Sequence, residues 1–257
     1  MARSPLQIVV DNKLVLGSAF TKAASEFRAK SPGKSAVVFG GTGEVGREVI
    51  KHLVASDAFD KVTVLTRRPI EYSGENAEKL VQKPADYENM EELQSNVAGH
   101  THAFCCLGTT RGKSGADGFR KVDHDYILNS AKACSENNVE HYSICSSAGA
   151  NKNSFLLYMK TKGEVNDKIQ NMGFPRTSVF LPGMLMCERE ESRLLERVSA
   201  YIVRFAGIFT PKTLHVPTSV VGWSMVNNAF ASVKTPENEV ISNADMVDAF
   251  EKGQKKN

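Results

Sequence analysis

The stretch VVFGGTGEVGREV, Val37 to Val49, decides how the chain is read. An apolar run is followed by Gly40, Gly43 and Gly46, with a further glycine at Gly41, and then by a helical pattern. Two readings are open: a nucleotide-binding turn, or a glycine-rich loop leading into a helix. Between a strand and a helix such glycines have separable tasks. One permits the tight turn, one removes a Cβ where backbone approaches a pyrophosphate, and one lets helix and strand pack closely. The phosphates then rest on free N–H groups at the helix N-terminus, where the dipole favours negative charge. Thr42 adds a hydroxyl.

The setting is tested by what lies downstream. From Lys34 onward, short β-branched or apolar runs (AVVF, KVTVL, KLVQ, HAFCCL, HYSIC, TSVFL) alternate with helix-like stretches at Glu44–Ala55, Asn89–Asn96, Gly118–Glu136 and Phe155–Asn171. In the third, Phe119, Val122, Tyr126, Leu128 and Ala133 approximate one apolar stripe at helical spacing. Parallel neighbours need crossover connections, so this alternation implies an α/β fold: a Rossmann-type, doubly wound parallel sheet. After Pro182 the pattern loosens into a helix-like Ser192–Phe205, a Gly/Pro-punctuated loop, a helix TSVVGWSMVNNAFASV and a last strand EVIS. The expected division is an N-terminal extension over 1–33, one dinucleotide-binding domain over 34–250 with a small C-terminal elaboration, and a solvated tail over 251–257.

The bulk properties fit that frame. A chain of 257 residues can bury a substantial core, and its net charge of +3, with Lys and Arg scattered, shows no concentrated basic face for nucleic acid. The five cysteines are odd in number and lack CxxC spacing, which fits a reduced, intracellular setting and suggests no metal site. No apolar run approaches the roughly 20 residues that span a bilayer. The first 35 residues are mildly basic. They read as a helical extension capping the domain; a mitochondrial presequence is the alternative, and Asp11 and Glu26 count against it.

The second strand ends in Arg67–Arg68, where an acidic residue would select a free ribose 2′-hydroxyl and arginine a 2′-phosphate. A phosphate monoester suits a bidentate guanidinium, so NADP(H) is favoured over NAD(H). Asp86, after the third strand, is placed to accept from an adenine amino group, although a helix N-cap explains an Asp equally well. The fourth strand runs into Leu107–Gly108 at the carboxyl edge of the sheet, where such folds bind ligands. Cys105 and Cys106 are adjacent on one strand and so point to opposite faces, as two small buried hydrophobes.

Tyr158 and Lys162 are four apart on one helix face. They follow a fifth strand that ends in Ser146–Ser147. A phenol is a poor proton donor at neutral pH, and a nearby ammonium lowers its pKa. A serine hydroxyl holds the substrate oxygen beside it; spacing does not decide between Ser146 and Ser147. Taken in order, GGTGEVG, Arg67–Arg68, CCLGTTRGKSGADGF, SSAGA, Tyr158-x-x-x-Lys162 and PGMLM resemble the atypical short-chain dehydrogenase/reductases. More closely, with FCCLGTTRGK, KGEV and CERxESR, they resemble the oxidoreductase family named for interaction with the viral transactivator Tat, from about Phe27 to the C-terminus.

The resemblance implies a Rossmann fold that binds NADPH, with dinucleotide contacts at Thr42, Gly43, Glu44, Val45, Arg67, Arg68, Leu107 and Gly108. It implies Tyr158 and Lys162 at the nicotinamide, backbone near Leu185 closing over it, and Arg193 near the cofactor. It further implies a nuclear transport receptor as partner, growth or apoptosis control, and a cytoplasmic or nuclear location. Two functions follow as expectations. One is an NADPH-dependent reductase of a carbonyl substrate, with Tyr158 as proton donor. The other is a regulatory protein whose partner affinity responds to NADPH. Met184, Met186, Leu194 and Leu195 suggest an apolar substrate side.

Overall fold

In a computed structural model the described residues are 6–9, 16–186, 215–231 and 237–254. The strand of the opening motif, β2 (Ser35–Phe39), is buried along its whole length. Its side chains alternate between two cores, Ala36 and Val38 on one face of the sheet and Val37 and Phe39 on the other. Strands covered on both faces read as continuous apolar runs, which is why the strands were legible without alternation.

Around β2 lie β3 (Lys61–Thr66), β5 (Leu80–Pro84), β6 (His102–Cys105), β7 (His141–Cys145), β8 (Arg176–Leu181) and β11 (Glu237–Ser242). They form a seven-stranded sheet in the order β11-β8-β7-β6-β2-β3-β5, and every pairing in it is parallel. Counted within this sheet, the chain winds outward to β5, then reverses across β2 to β6. That reversal between β2 and β6 is the topological switch point at which such sheets bind ligands. One face is covered by α2 (Glu44–Ala55), α7 (Thr218–Ala229) and α1 (Ser18–Lys30). The other carries α3 (Met90–Val97), α5 (Ile127–Glu136) and α6 (Leu157–Gln170).

Several expected boundaries move. The long helix over Gly118–Glu136 is α4 (Arg111–Arg120), a π-helical turn (Lys121–Tyr126) and α5, in continuous succession. The π turn shifts the buried stripe, which runs through Phe119, Asp123, Ile127 and Ala131 rather than through Val122, Tyr126 and Leu128. The last helix, α8 (Asn243–Gln254), continues into the segment expected as a solvated tail, because Gly253 packs against the Trp223 indole.

The N-terminal residues add two elements. β1 (Leu6–Val9) pairs with β4 (Ile70–Ser73), and α1 buries Phe20 and Ala24 in the core with Trp223 and Phe230. A second two-stranded pairing joins β9 (Met184–Met186) to β10 (His215–Pro217). The helix-like Ser192–Phe205, with Arg193, Leu194 and Leu195, lies outside the described residues.

Candidate active site

The glycine turn is built by exclusion. Gly40 has φ +76°, and a Cβ there would lie 2.6 Å from the Cys106 carbonyl carbon and 2.7 Å from the Leu107 nitrogen. The end of β6 therefore crosses directly over the turn, at the switch point. Gly46 faces inward: its Cβ would lie 2.3 Å from the Gly40 oxygen. Gly43 donates its N–H to the Gly40 carbonyl at 3.0 Å and is the N-cap of α2, with no side chain capping the helix. The free N–H groups of that first turn are left for an anion. Within the turn, Glu44 is ion-paired to Arg47, whose Nε is buried without a protein acceptor. Val45 is buried in the core rather than open to the cleft.

A cleft at this edge is lined by Gly40, Thr42 and Leu107 together with Arg67 and Arg68. Both arginines are exposed, and neither is ion-paired among the described residues. Tyr87 and Tyr126, also lining it, stack with centroids 5.2 Å apart and planes at 23°. Asp86 lies beside this cleft but does not line it. It is exposed, and its Oδ1 accepts from the Glu88 N–H at 2.9 Å in a local turn.

Across the switch point, Lys162 and Tyr158 project from α6. Lys162 is 4% exposed and its Nζ meets Asp123 Oδ1 at 2.8 Å. Asp123 Oδ2 accepts the Thr109 N–H at 2.7 Å, so one carboxylate ties the loop after β6 to the lysine. Burial pulls the Lys162 pKa down, but the charge of Asp123, the Tyr158 phenol, the hydrogen bond to Asp123 and Cys145 together raise it above the ordinary lysine value. The ammonium is thus kept charged. A Cβ on Gly108 would lie 3.4 Å from Asp123 Oδ1 and 3.9 Å from Lys162 Nζ, which brings the candidate cofactor loop against the candidate catalytic pair. Tyr158 is 42% exposed, its ring 5.7 Å from that of Phe119. Ser146, at the end of β7, holds a buried hydroxyl with no protein partner, whereas Ser147 is half-buried. Leu185 sits in β9 beyond Pro182–Gly183, half-buried against the α2 side of the core.

Asp123, Arg47, Tyr87 and Tyr126 were not read as site residues from the sequence. The only sequence signal for Asp123 is its spacing: it is four residues after Phe119 and four before Ile127, a carboxylate in an apolar series. Cys105 is buried in one core and Cys106 packs against the other, and burial raises both thiols' pKa values. Neither is an activated nucleophile.

The residues present fit a dinucleotide: a turn in which side chains are excluded, an uncapped helix N-terminus and an orphaned buried guanidinium nitrogen. Residues 40–197 match the model of the NAD(P)H-binding family, which is more than half of the chain. Protein HTATIP2 of Rattus norvegicus is 42% identical over 164 residues, covering 64% of this chain and 68% of its own length. A Candida albicans relative named "Protein FMP52, mitochondrial" is 37% identical over 160 residues, covering 62% of this chain and 70% of its own. Among solved structures, the Citrobacter sp. triphenylmethane reductase complexed with NADP(H) superposes with a TM-score of 0.57 at 17% identity, over 81% of this chain and 69% of that one. That last likeness is one of fold. A parallel sheet with its glycine turn at the switch point, matched across most of its length by these sequences, makes this chain a member of the NAD(P)H-binding family and a homologue of Protein HTATIP2.

Proposed function

We propose that the chain is an NADPH-dependent reductase of the short-chain type that acts on a carbonyl. The observation that supports this best is the meeting of three groups at one edge of the sheet: the Gly40–Gly46 turn, the Gly108 loop, and a charged, buried Lys162 one helical turn from the exposed Tyr158. A site that only senses a dinucleotide has no use for a phenol and an ammonium on the same helix face.

In this reading Arg67 and Arg68 bind the 2′-phosphate, and the α2 N-terminus with Thr42 binds the pyrophosphate. NADPH supplies the hydride when bound. Tyr158 donates the proton to the carbonyl oxygen. Ser146 or Ser147 holds that oxygen, and the orphaned hydroxyl of Ser146 favours Ser146. Lys162 stabilises the phenolate that remains, its charge moderated by Asp123. Phe155 and Leu156, just ahead of Tyr158 in the chain, are exposed, which supports an apolar carbonyl.

The resemblance supports a cytoplasmic or nuclear setting and a nuclear transport receptor, whereas the name of the Candida relative supports mitochondria. No helix among the described residues is long and apolar enough to cross a membrane.

The test is a titration of NADPH against NADH followed by a carbonyl panel read at the NADPH absorbance. Tyr158→Phe is expected to bind NADPH as the parent does and to lose at least about 100-fold in turnover, the usual worth of a positioned proton donor. Undiminished turnover in that variant overturns the reductase assignment.

A further inference from the structure

We infer that the N-terminal strand β1 is a positioning element for the Arg67–Arg68 turn, so that the N-terminal segment sets how well the chain discriminates NADPH from NADH. The inference rests on the reading of that arginine pair as the 2′-phosphate site.

The turn is held from three directions. On its near side, the Thr66 hydroxyl donates to the Arg68 carbonyl at 2.6 Å and accepts from the Arg68 N–H at 3.2 Å. On its far side, the chain re-enters the core at Ile70, which is 3% exposed. There the Gln82 side-chain amide grips both backbone groups of Ile70, accepting from its N–H at 2.8 Å and donating to its carbonyl at 2.5 Å. The third hold is β1. Leu6 donates its N–H to the Pro69 carbonyl at 3.0 Å, Leu6 to Val9 pair in register with Ile70 to Ser73, and Gln7 Nε2 donates to Glu71 Oε2 at 2.6 Å. Ile8, 1% exposed, anchors the strand in the same core cluster as Ile70.

Pro69 immediately follows the arginine pair, so its carbonyl is the point at which β1 fixes where that turn ends. Two long, exposed, unpaired guanidiniums recognise a phosphate only if their backbone is pre-organised; otherwise binding must first order it. β4 lies outside the seven-stranded sheet, and β1 is its only strand partner among the described residues. β1 lies outside residues 40–197, which match the NAD(P)H-binding family, whereas its partner β4 lies within them.

Linkage makes the effect reciprocal: if β1 raises NADPH affinity, NADPH must stabilise β1 by the same factor. The experiment uses the full chain with Leu6→Pro, which deletes the donor to Pro69, and Ile8→Ala, which loosens the anchor without touching the backbone. Arg67→Ala serves as reference. Dissociation constants for NADPH and NADH are measured by titration, together with amide exchange over residues 6–9 and 66–73.

Both β1 variants are expected to weaken NADPH about tenfold, within the usual range of such couplings, with NADH unchanged. NADPH, but not NADH, is expected to slow exchange in residues 6–9 of the parent. If Arg67→Ala loses NADPH selectively while both β1 variants bind as the parent does, the brace is refuted and the arginine reading stands. If Arg67→Ala does not discriminate the two cofactors, the arginine reading itself fails. If the β1 variants weaken NADPH and NADH alike, β1 serves stability only and the inference is wrong.

Discussion

Asp123 is the residue that most changes how the site is understood. From Tyr158 and Lys162 alone the lysine is a free cation beside a phenol. In the folded chain it is half of a buried ion pair, with side chains 6% and 1% exposed. Such a pair adds little net stability over an apolar replacement, but breaking it strands a charge. Asp123→Asn should therefore cost about 3–5 kcal/mol in urea unfolding, and Asp123→Asn with Lys162→Met should regain most of it. A double variant as unstable as the single one would mean that Asp123 acts through Thr109 instead. Nothing in the one-dimensional sequence pairs positions 123 and 162; the two helices must first pack. Gly40 and Gly46, by contrast, were legible, since a motif of that spacing after a buried strand leaves few other backbones available.

Among the elements, α1 is the helix expected to cap the domain, and it packs more deeply than a cap requires. A helix near the N-terminus of a mildly basic segment reads as a cap or a targeting signal. Its Phe20 is fully buried, with ring centroids 5.2 Å from Phe230, 5.8 Å from Trp223 and 6.0 Å from His52. Phe20→Ala should lower stability by about 3–5 kcal/mol, a core-cavity effect, measured as a shift in urea midpoint with unchanged slope. A loss below about 0.5 kcal/mol, the size of a surface substitution, would show that α1 is only an appendage. The sequence hides this because the apolar partners Trp223 and Phe230 lie two hundred residues downstream. The π turn at Lys121–Tyr126 was hidden for a related reason: one inserted residue per turn leaves composition unchanged while rotating the stripe onto Asp123.

At the scale of the whole molecule, the edge of the sheet opposite the site is rich in buried histidine. Burial pulls the pKa of His102 down to about 3, aided by Lys34 and Arg176, and that of His141 well below the usual histidine value, aided by Arg176 and His102. His52 and His100 are lowered as well, again first by burial. Each group binds its proton more readily in the unfolded chain, so the stability it contributes is present above about pH 6.5 and is lost as pH falls. For His102 the slope should approach about 1.4 kcal/mol per pH unit below pH 6. Urea midpoints at pH 7, 6 and 5 should fall in that order, and less steeply in His102→Gln; a flat profile would refute the neutral burial of these rings. The fold class, the strand order's starting motif and the arginines at the second strand were determined by the sequence itself. Each depends on local spacing, the period of apolar residues and a turn that only glycine allows. The tertiary structure alone decided which charged groups are buried together, that the N-terminal segment belongs to the core, and that β1 reaches the Arg67–Arg68 turn. Those facts depend on contacts between residues far apart in the chain, which no local pattern records.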